Sequence, residues 1–423
     1  DLQTHRVCLE HRAAECFIPA SNQKLLTSAF ALVELGEKGT FTTTLHFTDR
    51  DVILTGQFDP LLCDPVLARA EEKDIYATLD VWAAAIRAKF GDAIAGDLIL
   101  ASRIEPEDFH PPSWAKRHHT RWYGAPVADL NIHDNCYDVI FVEENDAIRP
   151  AVTPASRFIH VTSELTLQPK GKHLWRLRES QDGATLTLTG QIRGSASDPL
   201  SVPMYDPRIT LGRVLADRLL RAGVRLGGRL RVLPAGRVNL SNVPVLRETE
   251  TPLADVLQRS NKRSLNLAAE CMLLRAGDGT WDGSRIRMRD VLVKRFGLDA
   301  KTLAVHDGSG LSRENQITPG DMTTLLSRLA GGQGADMLLA SLPRSGEDGS
   351  LRKRLRIPPY QGRVAAKTGT LAGVRALSGY ILDIDGKPRY AFAILANKLR
   401  GSVQSRAKQL QNRICRELVD SIK

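Results

Sequence analysis

Phe17-Ile18-Pro19-Ala20-Ser21-Asn22-Gln23-Lys24 runs without a break into Leu25-Leu26-Thr27-Ser28-Ala29-Phe30-Ala31-Leu32-Val33-Glu34-Leu35-Gly36, and the rest of the chain is organised around this stretch. Apolar residues stand at 25, 26, 29, 30, 31, 32, 33 and 35. They cover more than one amphipathic stripe, so the pattern predicts a helix buried nearly all round. Pro19 precedes its start, and Gly36 is placed as a C-cap. Ser21 falls in the first turn and Lys24 three residues on, so hydroxyl and amine share one face. A serine beside an amine that cannot easily stay charged is a nucleophile beside a base. The plain alternative is a capping serine and a solvated lysine. Ser-x-x-Lys also occurs at Ser113–Lys116, Ser350–Lys353 and Ser405–Lys408, none of which opens a long apolar helix. Partners elsewhere must decide.

With 423 residues, 42% hydrophobic and 25% charged, the chain can bury a large core and is not a disordered polymer. Its length suits two or three domains. No apolar run is long enough to span a bilayer as a helix. The formal charge of +10 suits an anionic polymer or a membrane surface, and equally a basic protein with solvated arginines. No nucleic-acid-binding motif occurs. Six cysteines, at 8, 16, 63, 136, 271 and 415, include no Cys-x-x-Cys and no Cys/His cluster of zinc spacing, so neither metal nor metal site is expected. Cys8 and Cys16 flank a short polar turn, where a hairpin would set them face to face; buried free thiols are the other reading.

Along the chain, residues 5–18 read as two short strands and 42–47 as a strand. A helix is expected over 81–90 and a strand over 95–100. Residues 104–128 are loop-rich and carry the basic run Lys116-Arg117-His118-His119-Thr120-Arg121. Asp182-Gly183, between alternating segments, signals a hairpin. A helix over 209–222 stops at Gly223, and a polar linker ends near Thr251-Pro252. From Leu253 helices dominate to about Leu329; a strand follows at 363–370, then a hairpin about Asp385-Gly386 and a closing helix.

Two further motifs stand in that second half. Ser264-Leu265-Asn266 opens a helix-like run and is the sequence's sole Ser-x-Asn. Lys367-Thr368-Gly369-Thr370 follows Val364-Ala365-Ala366, and a glycine within a strand implies close approach of another backbone or a ligand. Each alone reads as a helix cap or a surface turn. Ser-x-x-Lys, then Ser-x-Asn, then Lys-Thr-Gly is the signature of penicillin-binding proteins and serine β-lactamases. More than half the chain separates Ser21 from Ser264. With that insertion the sequence resembles the D-alanyl-D-alanine carboxypeptidase/endopeptidase family of low-molecular-mass class C penicillin-binding proteins. The stretch His306-Asp307-Gly308-Ser309-Gly310-Leu311-Ser312-Arg313, Thr318-Pro319 and Leu342-Pro343 carry the resemblance further. Two departures stand out. Leu265 occupies the place of the usual Asp in the second motif, from which altered local hydrogen bonding with retained activity is expected. Basic residues precede Tyr123, the aromatic of the inserted region, where the family tends to have an acidic one.

The resemblance implies a multidomain α/β (α+β) fold. An antiparallel sheet with helices on both faces would form the catalytic domain from 1–46 and 245–423. An insertion domain would span 47–66 and 146–244, with another, 67–145, nested in it. It implies a serine DD-peptidase that cleaves D-Ala-D-Ala and cross-links of peptidoglycan stem peptides through an acyl-enzyme on Ser21, and that β-lactam antibiotics acylate. In that scheme Lys24 is the base, Ser264 passes a proton to the leaving nitrogen, Asn266 holds the substrate amide, and Lys367 with Thr368, Gly369 and Thr370 receives the terminal carboxylate. Arg313 and Tyr123 are further substrate-binding candidates. Lys24, on the buried helix, is expected to be the neutral lysine, and Lys367, on a strand edging the cleft, the charged one. No cofactor is implied. A periplasmic or exported location, with the leader removed and with peripheral membrane or cell-wall association, goes with this reading. A β-lactamase or esterase of the same fold is a second reading, against which the long insertion counts. A catalytically impaired wall-binding protein is a third.

Overall fold

The structure, a computed structural model, describes residues 1–144, 147–168 and 170–422. The chain divides into two compact units, one of Asp1–Thr40, Pro111–Ala115 and Pro252–Lys423, the other of Phe41–His110 and Lys116–Thr251. The expected boundaries near 46 and 245 fall at the strands Thr40–Phe47 and Val245–Pro252. The boundary expected between 145 and 146 lies outside the described residues.

In the first unit a single 3-10 turn, Ala20–Asn22, leads into the helix Gln23–Leu35. Leu25, Leu26, Ala29, Phe30 and Ala31 are fully buried, as the apolar run predicts. Burial of a side chain such as Phe30 or Leu26 contributes about 1.5–3 kcal/mol. Gly36 ends the helix at a φ of 69° with its N–H on Leu32 O. The helix packs against Asn266–Ala276, which is buried on almost every face.

The sheet of this unit is antiparallel, with Val364–Leu371 at the edge, Val374–Leu382 in the middle and Pro388–Ala396 beyond. Alternation along the strands decides what each face meets. Val364, Ala366, Leu377, Ile381 and Phe392 share a core with Cys415 and Val419 of the C-terminal helix Val403–Asp420. From the opposite face Tyr380 Oη donates to Leu326 O of the helix Pro319–Ala330, and Ser378 Oγ donates to Asn22 Oδ1. Helices therefore cover both faces, and Lys367, one step out of phase with Ala366, points to the face of the Ser21 turn.

The second unit is built on a five-stranded sheet in the order Leu230–Pro234, Leu98–Ser102, Val52–Gly56, Thr40–Phe47, Val245–Pro252. The helices Ala77–Phe90 and Pro207–Arg221 contribute Trp82, Ile86, Val214 and Leu215 to one core with Leu54 and Leu100 of that sheet. This core draws on residues 67–145 and on both flanking parts of the insertion. The Asp182-Gly183 hairpin forms as expected, Leu174–Glu179 pairing antiparallel with Thr185–Ile192.

Two local expectations are corrected. The tail of the polar linker is a strand, Val245–Pro252. Besides Leu246, which packs on the core, it is held by hydroxyls: Thr249 Oγ1 accepts from Trp82 Nε1 at 2.8 Å, and Thr251 Oγ1 donates to Asp59 Oδ2 at 2.7 Å. Residues 5–16 form no hairpin; Phe17 instead makes an isolated antiparallel bridge with Ile317, each N–H donating to the other's carbonyl, so its backbone is satisfied far along the chain and not across a local turn. Cys8 and Cys16 are exposed free thiols, and the other four cysteines are buried free thiols.

Candidate active site

The Ser21 turn is squeezed from two sides. Ala20 holds a φ of 47° without being glycine, a conformation costing about 1–3 kcal/mol that only surrounding packing can maintain. A Cβ on Gly369 would lie 2.8 Å from Pro19 O and 3.2 Å from Ala20 Cβ, so the motif glycine is what lets the Lys367 strand close on the turn. On the other side, a Cβ on Gly310 would lie 1.9 Å from Ala20 O. Asn22, fully buried, ties turn to strand: Nδ2 donates to Lys367 O at 2.7 Å while Oδ1 accepts from Ser378. Ser21, between these anchors, is half-buried.

Lys24 Nζ donates to Asn266 Oδ1 at 2.6 Å and to Ser309 O at 2.8 Å. Lys367 Nζ donates to Ser264 Oγ at 2.9 Å and to Thr368 O at 3.1 Å. The three motifs are thus bonded to one another, with Ser264 and Asn266 reaching one lysine each. They can do so because Ser264 sits in the left-handed region, at a φ of 59°, and the helix Asn266–Ala276 begins two residues later. Leu265, in the place of the expected acidic residue, is buried, and its N–H donates to Arg259 O at 3.2 Å.

Both lysines are fully buried, and here the expected contrast between them is corrected. Burial pushes Lys24 down to about 8, while the charges of Glu270 and Asp307 hold it up. Lys367 is driven well below the usual lysine range by burial and by the Lys24 charge. Lys367 is therefore the more strongly depressed of the two, because acidic neighbours offset burial at Lys24.

The remaining candidates divide between the two units. Thr368 Oγ1 donates to Ser350 Oγ at 2.8 Å, and Thr370 is exposed. The outer edge of their strand is occupied up to Ala366 by Pro343–Ser345, and Lys367–Thr370 continues beyond that cover. Arg313 is exposed and donates from Nη1 to Ala372 O at 3.0 Å, at the turn after the Lys367 strand. Tyr123 belongs to the second unit, where its ring meets those of His118 and Trp122. Of the other Ser-x-x-Lys serines, Ser113 donates to His306 O and Ser405 lies in the first turn of the C-terminal helix.

Three features were not assigned a role from sequence. Asp307 and Ser309 of the quoted Gly-rich stretch flank the Lys24 site, and Glu270 stands in the middle of the Ser264 helix. Trp114, within the insertion, belongs to the first unit and donates from Nε1 to Asp307 Oδ2 at 2.8 Å. The legible signal was Glu270 itself, a lone acid in the apolar run Leu267–Leu274. Among the described residues no group of His, Cys, Asp or Glu is placed to hold a metal ion.

A scaffold with two helix-covered sheet faces and a Ser-Lys, Ser-Asn, Lys-Thr-Gly centre defines an acyl-transfer serine enzyme of the penicillin-binding type. Residues 1–418 match the model of the D-Ala-D-Ala carboxypeptidase 3 (S13) family, and the chain belongs to that family. It is 28% identical to the D-alanyl-D-alanine carboxypeptidase of Actinomadura sp. (strain R39), over 94% of this chain and 76% of that protein. It is 23% identical to the D-alanyl-D-alanine carboxypeptidase DacB of Haemophilus influenzae, over 97% and 86%. The fold matches the crystal structure of penicillin binding protein 4 from Haemophilus influenzae with a TM-score of 0.78 at 20% identity, covering 98% of this chain and 94% of that one. The predatory peptidoglycan endopeptidase Bd3459 of Bdellovibrio bacteriovorus shares the fold at a TM-score of 0.53. The chain is a serine DD-peptidase, a hydrolase of the D-Ala-D-Ala carboxypeptidase class.

Proposed function

We propose that Ser21 is the acylated nucleophile and Lys24 its base, in a cycle that removes the terminal D-Ala from peptidoglycan stem peptides. The observation that carries this is the pair of bonds Lys24 Nζ to Asn266 Oδ1 and Lys367 Nζ to Ser264 Oγ, which joins three separate sequence motifs at one buried point. A lysine held near 8 is neutral in about one molecule in ten at pH 7, enough to serve as a base. Ser21 Oγ attacks the carbonyl carbon of the penultimate D-Ala and gives its proton to Lys24. Ser264, its hydroxyl fixed by Lys367, relays the proton taken up by Lys24 to the leaving nitrogen as the C–N bond breaks, which leaves Lys24 neutral and Ser264 a hydroxyl again. Water then attacks the ester and frees Ser21. Backbone N–H groups of Ser21 and Thr370 would hold the oxyanion.

The substrate carboxylate has a matched receiver in Lys367. Its arrival beside that amine favours the ammonium form there, and two adjacent ammonium groups cannot both be held cheaply. Binding at Lys367 therefore promotes proton loss from Lys24, so that substrate arms its own base. Thr368, Gly369 and Thr370 complete the carboxylate end, with Arg313 at the adjacent turn and Tyr123 the aromatic of the inserted region.

The same chemistry opens a cross-link when the leaving nitrogen belongs to a diamino-acid side chain, so endopeptidase activity and acylation by β-lactams are part of this reading. We read the insertion as two domains, one nested in the other, that share the core of the five-stranded sheet. The compartment is exported or periplasmic, where the polymer lies; among the described residues no helix is long and apolar enough to cross a membrane. Digestion of defined muropeptides, with free D-Ala and cleaved dimers measured separately, is the test. Release of D-Ala that disappears in Ser21→Ala supports the reading. Turnover of a β-lactam with no cleavage of peptide would contradict it in favour of a β-lactamase.

A further inference from the structure

Glu270 is fully buried four residues beyond Asn266, on the helix that carries the second motif. The proposed cycle gives it no task, yet its carboxylate is tightly engaged. Oε2 accepts from Gly308 N at 2.8 Å and Oε1 from Ser309 N at 2.8 Å. The carbonyl of that same Ser309 accepts the Lys24 ammonium at 2.8 Å. A side chain thus grips a turn by its N–H groups, and the turn presents its C=O to the base. Thr27 Oγ1, one helical turn beyond Lys24, closes the arrangement by donating to Gly308 O at 2.6 Å.

The other acid nearby, Asp307, is occupied differently. Its carboxylate accepts from Gly310 N, Ser312 N, Asn315 Nδ2 and Trp114 Nε1, four donors that disperse its charge into the loop. Glu270 has the two peptide N–H groups and the Ser309 hydroxyl. Its charge is the less compensated, and it stands first among those holding Lys24 up. The charged groups acting on the base are therefore Glu270 from its helix and Asp307 from the loop, and the Lys367 amine of the strand is the titratable group that feels the Lys24 charge.

We propose that Glu270 is a positioning residue for acylation: it fixes the Ser309 carbonyl that orients Lys24, and its charge sets the pH at which Lys24 becomes a base. This rests on Lys24 being the base. Burial, with Asp307 beside it, pushes the Glu270 carboxyl up, so acid and base titrate as a coupled pair. Removing the carboxylate leaves burial opposed by Asp307 alone, and Lys24 then deprotonates at lower pH.

The test is the rate of Ser21 labelling by a fluorescent penicillin from pH 5 to 10, in wild type, Ser21→Ala, Glu270→Gln and Glu270→Asp, with circular dichroism for the fold. In Glu270→Gln one carboxylate oxygen becomes an amide donor facing a peptide N–H. The acid limb should move down by about one pH unit, a tenfold change in the base equilibrium, and the plateau rate should fall. Glu270→Asp keeps the charge on a shorter arm, so its limb should stay in place while its plateau falls. A purely structural glutamate would lower plateau or stability without moving the limb. A folded Glu270→Gln whose limb superimposes on wild type overturns the inference. If Gln unfolds the protein, an Asp variant with a displaced limb or an undiminished plateau overturns it. Wild type unlabelled at Ser21 would instead refute the underlying reading of the site.

Discussion

Lys24 and Lys367 are both fully buried, each donates one bond to the Ser264–Asn266 motif and one to a carbonyl, and they share one site. They differ in company. Glu270 and Asp307 act on Lys24, whereas burial and the Lys24 charge act on Lys367. Burial therefore does not distinguish the two amines; the counter-charges do. In the proposed cycle the Lys24 corner would pass its proton near neutral pH, and the Lys367 corner would take its counter-charge from the substrate carboxylate.

Several measurements break or sharpen this contrast. Ser21→Ala should lower acylation by about 10⁴-fold or more, since residual catalysis without a nucleophile is small. Mass spectrometry should find no penicilloyl adduct on Ser113, Ser350 or Ser405, and an adduct on any of them in wild type would reassign the centre. Lys367→Ala removes a charge-assisted partner worth about 1.5–3 kcal/mol, so peptide kcat/KM should drop about 10- to 100-fold. Lys367→Arg keeps a cation and should lose less; an equal loss in both would mean that Lys367 acts through Ser264 rather than through the carboxylate. In wild type the acylation rate should rise with pH up to about 8, where Lys24 is held, and level off above it. A rate flat from pH 5 to 9 would remove Lys24 from the role. Smallest is Trp114→Phe, which removes the Nε1–Asp307 bond and should cost about 1 kcal/mol in thermal unfolding with little change in acylation.

Much of the catalytic unit was legible in the sequence because its signals are local and periodic. The apolar run after Lys24 gave the helix and its Gly36 cap, and alternation gave the strands about Asp385-Gly386. What stayed hidden was long-range or polar. The strand Val245–Pro252 is stitched by the Thr249 and Thr251 hydroxyls, so no apolar alternation marked it. The pairing of Phe17 with Ile317 bridges residues far apart in the chain, and short-range turn signals at 10–15 pointed elsewhere. Trp114 reaches Asp307 from inside the insertion, a contact that sequence order conceals. The ranking of the two lysines failed for a related reason. Helix and strand patterns report burial, but the acids that offset it, Glu270 and Asp307, approach Lys24 only through the fold.

In the proposed cycle Lys24 is the base for Ser21 and Lys367 is not. Arginine keeps a positive charge but does not deprotonate in proteins. The most direct measurement is the rate of Ser21 acylation, by mass spectrometry of the penicilloyl adduct, in folded Lys24→Arg and Lys367→Arg from pH 5 to 10. Lys24→Arg should lose about 10²–10⁴-fold at every pH, with no acid limb near 8, while Lys367→Arg retains the limb at a reduced rate. A folded Lys24→Arg that acylates Ser21 at close to the wild-type rate would contradict the account.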